Sequence, residues 1–261
     1  MRSTTVAERG GIHSGKVAII TGSTEGIGLD IARRLALAGA SVVVSSRKEA
    51  NVERAVGELR AENLNVSGVV CHVSKEEDRQ RLVNKALDEY GGIDYMISNP
   101  AVNPFVGNIW ETTEEMWTKV FAVNVTSMFL MAQLSVPHMR KRGGGSIIFT
   151  SSIVGYNPLP MIGPYCVSKT ALFGLTKVLA KVLSPMNIRV NCLAPGLTET
   201  KFGAVLLKYE ELVKEALKAN DIQRIGKPND YGGIVSFLCS PDASYINGET
   251  IVASGGGISH L

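Results

Sequence analysis

The sequence has few residues that build disulfides or metal sites. Its four cysteines, Cys71, Cys166, Cys192 and Cys239, stand far apart with no C-x-x-C pair among them. Reduced, mostly buried thiols are expected, and neither a disulfide framework nor a cysteine zinc site. His13, His72, His138 and His260 are isolated from one another, so no metal site is expected either. The net charge of +3 is spread along the chain without a basic tract, which argues against nucleic acid as a partner. No apolar run approaches the ~18 residues of a membrane span. The N-terminus lacks the apolar h-region of a secretory signal. Linker-like shifts in composition and internal repeats are also missing, so one domain is expected, residues 15–261, behind a flexible, polar arm at 1–14.

What is present is enough apolar material, 45% of 261 residues, for a sizeable core. Short apolar runs read as strands at Lys16–Thr21, Ser41–Ser46, Val66–Cys71, Ile93–Ser98, Ser146–Thr150, Ile188–Leu193 and Glu249–Ala253. Between them lie helical patterns at Ile27–Leu37, about Ala50–Glu62, Glu76–Glu89, Thr113–Arg142 and Pro164–Leu183. This alternation predicts an α/β fold: a single Rossmann-type, doubly wound, parallel seven-stranded sheet with helices on both faces. Ligands bind beyond the carboxyl ends of such strands, so functional residues are expected there.

Thr21-Gly-Ser-Thr-Glu-Gly-Ile-Gly28 follows the first strand and opens the first helix. Glycine lets the backbone turn tightly and approach a pyrophosphate, which a helix N-terminus favours. Gly22, Ser23, Thr24, Gly26 and Ile27 are therefore candidate cofactor contacts. The second strand ends in Ser45-Ser-Arg-Lys48, with no carboxylate for a ribose 2′-hydroxyl. A carboxylate would repel a 2′-phosphate, whereas Arg47, beside Ser46, can pair with one, so NADP(H) is the expected cofactor. The competing reading makes Arg47 and Lys48 exposed charges at a helix start. Downstream, Tyr165 and Lys169 stand four residues apart on a predicted helix and share a face. A free phenol, with a pKa near ~10, is a poor acid–base group at neutral pH. A nearby ammonium and a cationic nicotinamide would draw it down.

The chain resembles the short-chain dehydrogenase/reductases over nearly its whole length. The matching residues are Gly26-Ile-Gly28, Ser98-Asn-Pro-Ala101, Asn124, Ser152, Tyr165 with Lys169, and Pro195-Gly196, each after its proper strand. The resemblance implies a catalytic set of Tyr165, Lys169, Ser152 and Asn124. Tyr165 would be the acid–base and Ser152 the hydrogen-bond donor to the carbonyl oxygen. Ser151 competes with Ser152 for that role, and only the spacing to Tyr165 prefers Ser152. Lys169 would hold the ribose hydroxyls, and Asn124 a water that links Lys169 to solvent. Asn99, Pro195, Gly196, Thr198 and Thr200 would complete the cofactor contacts. The family often places aspartate after the third strand to meet the adenine amine; His72 stands there, which leaves that contact open.

Two variable segments are expected to shape the substrate site: Gly155–Gly163, with Leu159, Met161 and Ile162 as an apolar wall, and Lys201–Asn220, which contains Phe202, Leu206, Leu207 and Tyr209. The terminal Ser259-His-Leu261 resembles the tripeptide read by the peroxisomal import receptor. A peroxisomal address is therefore expected, and otherwise a cytoplasmic one. Within the family, the resemblance to peroxisomal NADPH-dependent carbonyl reductases implies a homotetramer that reduces retinal, aromatic ketones and α-dicarbonyls. The alternatives are a 3-oxoacyl-thioester reductase and a non-catalytic nucleotide-binding scaffold.

Overall fold

The computed structural model describes residues 11–219 and 224–257. Residues 1–10 of the expected arm, Asn220 and the Ser259-His-Leu261 tripeptide lie outside the described residues. The elements are β1 (Val17–Thr21), α1 (Gly26–Leu37), β2 (Ser41–Ser46), α2 (Glu49–Ala61), β3 (Val66–Val70), α3 (Glu76–Tyr90), β4 (Tyr95–Ser98), α4 (Glu114–Phe121), α5 (Ser127–Lys141), β5 (Gly145–Thr150), α6 (Gly163–Leu183), β6 (Ile188–Pro195), α7 (Ala204–Leu207), α8 (Glu210–Ala219), α9 (Gly232–Cys239) and β7 (Thr250–Ala253).

The strands form one seven-stranded parallel sheet in the order β3-β2-β1-β4-β5-β6-β7. Strand side chains alternate between faces, so continuous apolar strands supply two cores. Ile19, Val43, Met96, Ile147 and Val190 face α3, α5 and α6 through Leu82, Met131 and Leu172. Ile20, Val44, Ile97, Ile148 and Leu193 face α1, α2 and α9 through Leu35, Leu59 and Val235. The order reverses between β1 and β4, which opens the cleft that an open α/β sheet uses for ligands.

Two expectations change. The helix foreseen over Thr113–Arg142 is broken by a π-helical turn, Ala122–Thr126, in which the Ser127 N–H donates to the Ala122 carbonyl. The joined segment Glu114–Lys141 is long and apolar enough to cross a membrane by length and composition, although it is not one unbroken apolar run. Its Met128, Met131 and Met139 are fully buried in the core beneath the sheet, as in a core helix of a folded domain. Finally, the expected arm is anchored at His13, while Gly11, Ile12 and Ser14 are exposed. His13 is fully buried, with Nδ1 3.1 Å from the Tyr95 hydroxyl and Nε2 3.0 Å from the Ser236 hydroxyl. Its N–H donates to Ala38 O at 2.8 Å. Burial lowers the imidazole below its ordinary range, against a hydrogen bond to Ser236. The neutral ring is the form that fits between two hydroxyls.

Candidate active site

The glycine-rich turn owes its shape to positive backbone angles that favour glycine, at Gly22 (φ 62°) and Gly26 (φ 57°). Gly28 is required for a different reason: a Cβ there would lie 2.3 Å from Gly22 O and 2.8 Å from Asn99 Nδ2. Glu25 at the N-cap of α1 makes no side-chain cap hydrogen bond. The N–H groups of the first helical turn therefore remain available to an anion. Asn99, at the end of β4, donates through Nδ2 to Gly22 O at 3.0 Å and joins this turn to the neighbouring strand.

The expected cofactor residues divide into those at the cleft and those turned inward. Ser23 is fully buried, and its hydroxyl donates to Ile20 O at 2.7 Å and accepts from Ser45 N at 2.9 Å. Thr24 is also buried, and its carbonyl accepts from Arg54 Nη2 at 2.5 Å. Thr198 bonds the Tyr231 hydroxyl at 2.6 Å. The Ser23 and Thr198 hydroxyls and the Thr24 carbonyl thus brace the loops. The His72 imidazole is 2.8 Å from the Ser74 hydroxyl, and the His72 backbone N–H donates to Asp78 Oδ2 at 2.7 Å, which holds the turn after β3. Arg47 is exposed just past β2, and Ser46 beside it is half-buried. Thr200 caps Gly203 N at 2.9 Å, and its methyl group lies over Gly26. Ile27 is half-buried at the start of α1, and Pro195 and Gly196 carry β6 into the cleft.

Tyr165 and Lys169 lie on the first turns of α6, both buried. Lys169 Nζ donates to Thr150 O at 2.7 Å and stands 5.5 Å from the centroid of the Tyr165 ring. Burial pushes the Tyr165 phenol above its ordinary range, although a hydrogen bond with Ser152 works the other way. Burial also draws the Lys169 ammonium down to about 8, partly countered by Cys192. The sequence leads one to expect the lysine to lower the phenol. Within the protein, desolvation is the largest influence on the phenol, and Lys169 is not among the groups that shift it.

Ser151 and Ser152 look alike in sequence, and the fold separates them. Ser151 is buried and donates to Lys169 O at 2.7 Å. Ser152 is half-buried and caps the turn at Ile153–Gly155, with its hydroxyl toward Tyr165 and 3.5 Å from Pro195 O. Asn124 is fully buried in the π turn. Its Oδ1 accepts from Val102 N at 2.8 Å, and its Nδ2 donates to Val102 O and to Ser168 Oγ, each at 3.0 Å. Both amide hydrogens are thereby used.

Opposite the phenol, Phe202 packs on Tyr165 with ring centroids 5.3 Å apart. Val154, Ile162, Tyr165 and Cys166 form a small apolar cluster, with Leu159, Met161 and Val106 against it. The expected apolar wall is therefore present, with Ile162 inside it and Leu159 and Met161 at its edge. Thr150 and Ser168 are participants that sequence reasoning does not single out. The only signal for Ser168 is its place inside the Tyr165–Lys169 run.

Residues 22–257 match the family described as Enoyl-(Acyl carrier protein) reductase. Dehydrogenase/reductase SDR family member 4 from Rattus norvegicus is 59% identical over 249 residues, which cover 94% of this chain and 88% of that protein. The chain belongs to the short-chain dehydrogenase/reductase family. Among solved members of that family, a 7α-hydroxysteroid dehydrogenase complexed with NADH and 7-oxo glycochenodeoxycholic acid is 32% identical, covers 98% of this chain and 100% of that chain, and has a TM-score of 0.91. L-Sorbose reductase from Gluconobacter frateurii, complexed with NADPH and L-sorbose, is 34% identical over 95% of this chain and 98% of that chain, with a TM-score of 0.88. The chain is thus an oxidoreductase of the short-chain dehydrogenase/reductase type. The tight glycine turn and uncapped helix start fit a dinucleotide pyrophosphate.

Proposed function

We propose that this chain reduces lipophilic ketones and aldehydes to alcohols with NADPH, reversibly, using Tyr165 as acid–base. Retinal, aromatic ketones and α-dicarbonyls are the carbonyl classes of choice. The observation that carries the reading is the buried phenol between Ser152 and an apolar cluster roofed by Phe202. In the reducing direction the phenol must carry its proton until it meets the carbonyl oxygen, and its burial secures that form. Tyr165 then donates to the oxygen, and Ser152 hydrogen-bonds the same oxygen as charge develops. Lys169 holds ribose hydroxyls, and its ammonium, adjustable near neutrality, stabilises the phenolate that remains. When bound, the cofactor would supply the hydride.

NADPH is preferred because Arg47 stands exposed past β2 and the end of that strand carries no carboxylate. Exchange of Arg47 for Asp should invert the preference: kcat/KM with NADPH falls by about 100-fold, about 2.7 kcal/mol, while NADH improves. Steady-state rates with retinal, diketones, aromatic ketones and 3-oxoacyl thioesters, each with both cofactors, test the reading. Preference of the native chain for NADH would overturn the cofactor assignment. The Enoyl-(Acyl carrier protein) reductase family match favours a second reading, a 3-oxoacyl-thioester reductase, and the thioester arm of the panel decides between them.

The reading extends to assembly and address. Val167, Val178 and Val182 are exposed along α6, and Phe129 is exposed on α5; these apolar side chains suit burial in a homotetramer. The Ser259-His-Leu261 tripeptide suits the peroxisomal import receptor. The expected results are sedimentation as a tetramer and loss of peroxisomal import once the last three residues are removed. A monomer, or import without the tripeptide, would count against the respective part.

A further inference from the structure

We infer that Ser168 is a positioning residue that couples the loop after β4 to the turn of α6 bearing Tyr165 and Lys169. The inference rests on the reading of Tyr165 as acid–base and names a residue through which that group is held. Ser168 is fully buried. Its hydroxyl donates to Tyr165 O at 2.7 Å and accepts from Asn124 Nδ2 at 3.0 Å. A hydroxyl has one donor and two acceptor sites, so this geometry uses the proton toward the tyrosine carbonyl and a lone pair toward the amide.

The same Asn124 amide grips Val102 from both sides, accepting from its N–H at 2.8 Å and donating to its carbonyl at 3.0 Å. Three residues upstream, Asn99 holds Gly22 O of the glycine-rich turn at 3.0 Å. A continuous path of short contacts thus runs from the glycine-rich turn through Asn99, the 99–102 backbone, Asn124 and Ser168 to the Tyr165 carbonyl. Every side chain in it is buried or half-buried. One turn further along α6, Ser151 donates to Lys169 O at 2.7 Å, so serine hydroxyls hold the carbonyls of both Tyr165 and Lys169.

Serine commonly bonds back to a carbonyl of the preceding helical turn, which by itself is only local structure. The contact with Asn124 is what distinguishes this position. Replacing Ser168 by Ala leaves one buried amide hydrogen of Asn124 without a partner, an unfavourable state that the site relieves by moving or by admitting water. Either response loosens the Tyr165 turn against the cofactor side. Misplacement of a reacting group by ~1 Å can cost on the order of 100-fold in rate. Water admitted beside the phenol also relieves its desolvation and lowers its proton affinity.

The test is steady-state reduction by the full chain with NADPH across pH, on wild type, Ser168→Ala and Ser168→Thr, with melting temperatures alongside. For Ser168→Ala, kcat should fall by about 10-fold or more with little change in KM for NADPH. Its high-pH activity limb should move to lower pH, because reduction needs the protonated phenol. Ser168→Thr keeps the hydroxyl and should restore both rate and limb. A lowered melting temperature with unaltered kcat and an unmoved limb would reduce Ser168 to a structural residue and overturn the inference. If Ser168→Ala is not recovered folded, Ser168→Cys, whose thiol is a weak donor and acceptor, reads the same two outcomes. Tyr165→Phe separates the two claims: retained turnover there removes the acid–base reading, whereas a dead Tyr165→Phe with a normal Ser168→Ala removes only the inference.

Discussion

Tyr165→Phe should lower kcat by at least about 1,000-fold, near the upper part of the range for a single acid–base group, and leave NADPH binding unchanged. The substitution removes one oxygen and keeps the ring. Packing against Phe202 at 5.3 Å, and within the Val154, Ile162 and Cys166 cluster, is therefore retained. A thousandfold is about 4 kcal/mol of transition-state stabilisation, too large for a packing change in an isosteric ring. Loss of NADPH absorbance measures turnover, and quenching of protein fluorescence measures cofactor binding. The phenol is also the group whose burial holds its proton. In the reducing direction the wild-type rate should stay flat through neutral pH and fall only at alkaline pH. Turnover in the phenylalanine variant within ten-fold of wild type would remove Tyr165 from the mechanism.

Gly28→Ala should raise the dissociation constant for NADPH by at least about 100-fold, about 2.7 kcal/mol, and lower the melting temperature. The added Cβ would lie 2.3 Å from Gly22 O, 2.8 Å from Asn99 Nδ2 and 2.9 Å from Ser23 Cα. Two of these three atoms are backbone and cannot swing away, so the turn must open where a pyrophosphate would sit. Overpacking of this kind costs about 1–3 kcal/mol of stability in addition. Gly57→Ala is the control. Gly57 lies in α2, and its Cβ would meet nothing within 4 Å. There alanine should be neutral or stabilising, by up to about 1 kcal/mol. Isothermal titration with NADPH, together with thermal melts, checks both variants. Native affinity in Gly28→Ala would show that the turn can relax around a methyl group.

The sequence by itself determined the sheet, its helical layers and the order of the motifs. Those features follow from short-range periodicity: runs such as Val42-Val-Val44 and Ala18-Ile-Ile20 are apolar on both faces, which only a sheet covered on both sides accommodates. Glycine at 22, 26 and 28 and the Tyr165–Lys169 spacing were legible for the same reason, since each is set by neighbours a few residues away. Direction and burial of side chains were not. Ser151 and Ser152 are adjacent and chemically identical, yet one serves the Lys169 carbonyl and the other faces the phenol. Ser23 and Thr198 sit in the expected loops but turn their hydroxyls inward, toward partners on other elements, Ile20 and Tyr231. His13 read as part of a free arm because its partners, Tyr95 and Ser236, lie 82 and 223 residues away.

The same limit sharpened the central pair. In sequence, a lysine one turn from a tyrosine promises a lowered phenol. In the fold, both groups are buried, and desolvation is the largest influence on each, raising the phenol and lowering the ammonium. Desolvation sums over every atom that displaces water from a group, most of them distant in sequence. The sequence therefore picked out the candidate residues, and only the tertiary structure set the burial that shifts their proton affinities.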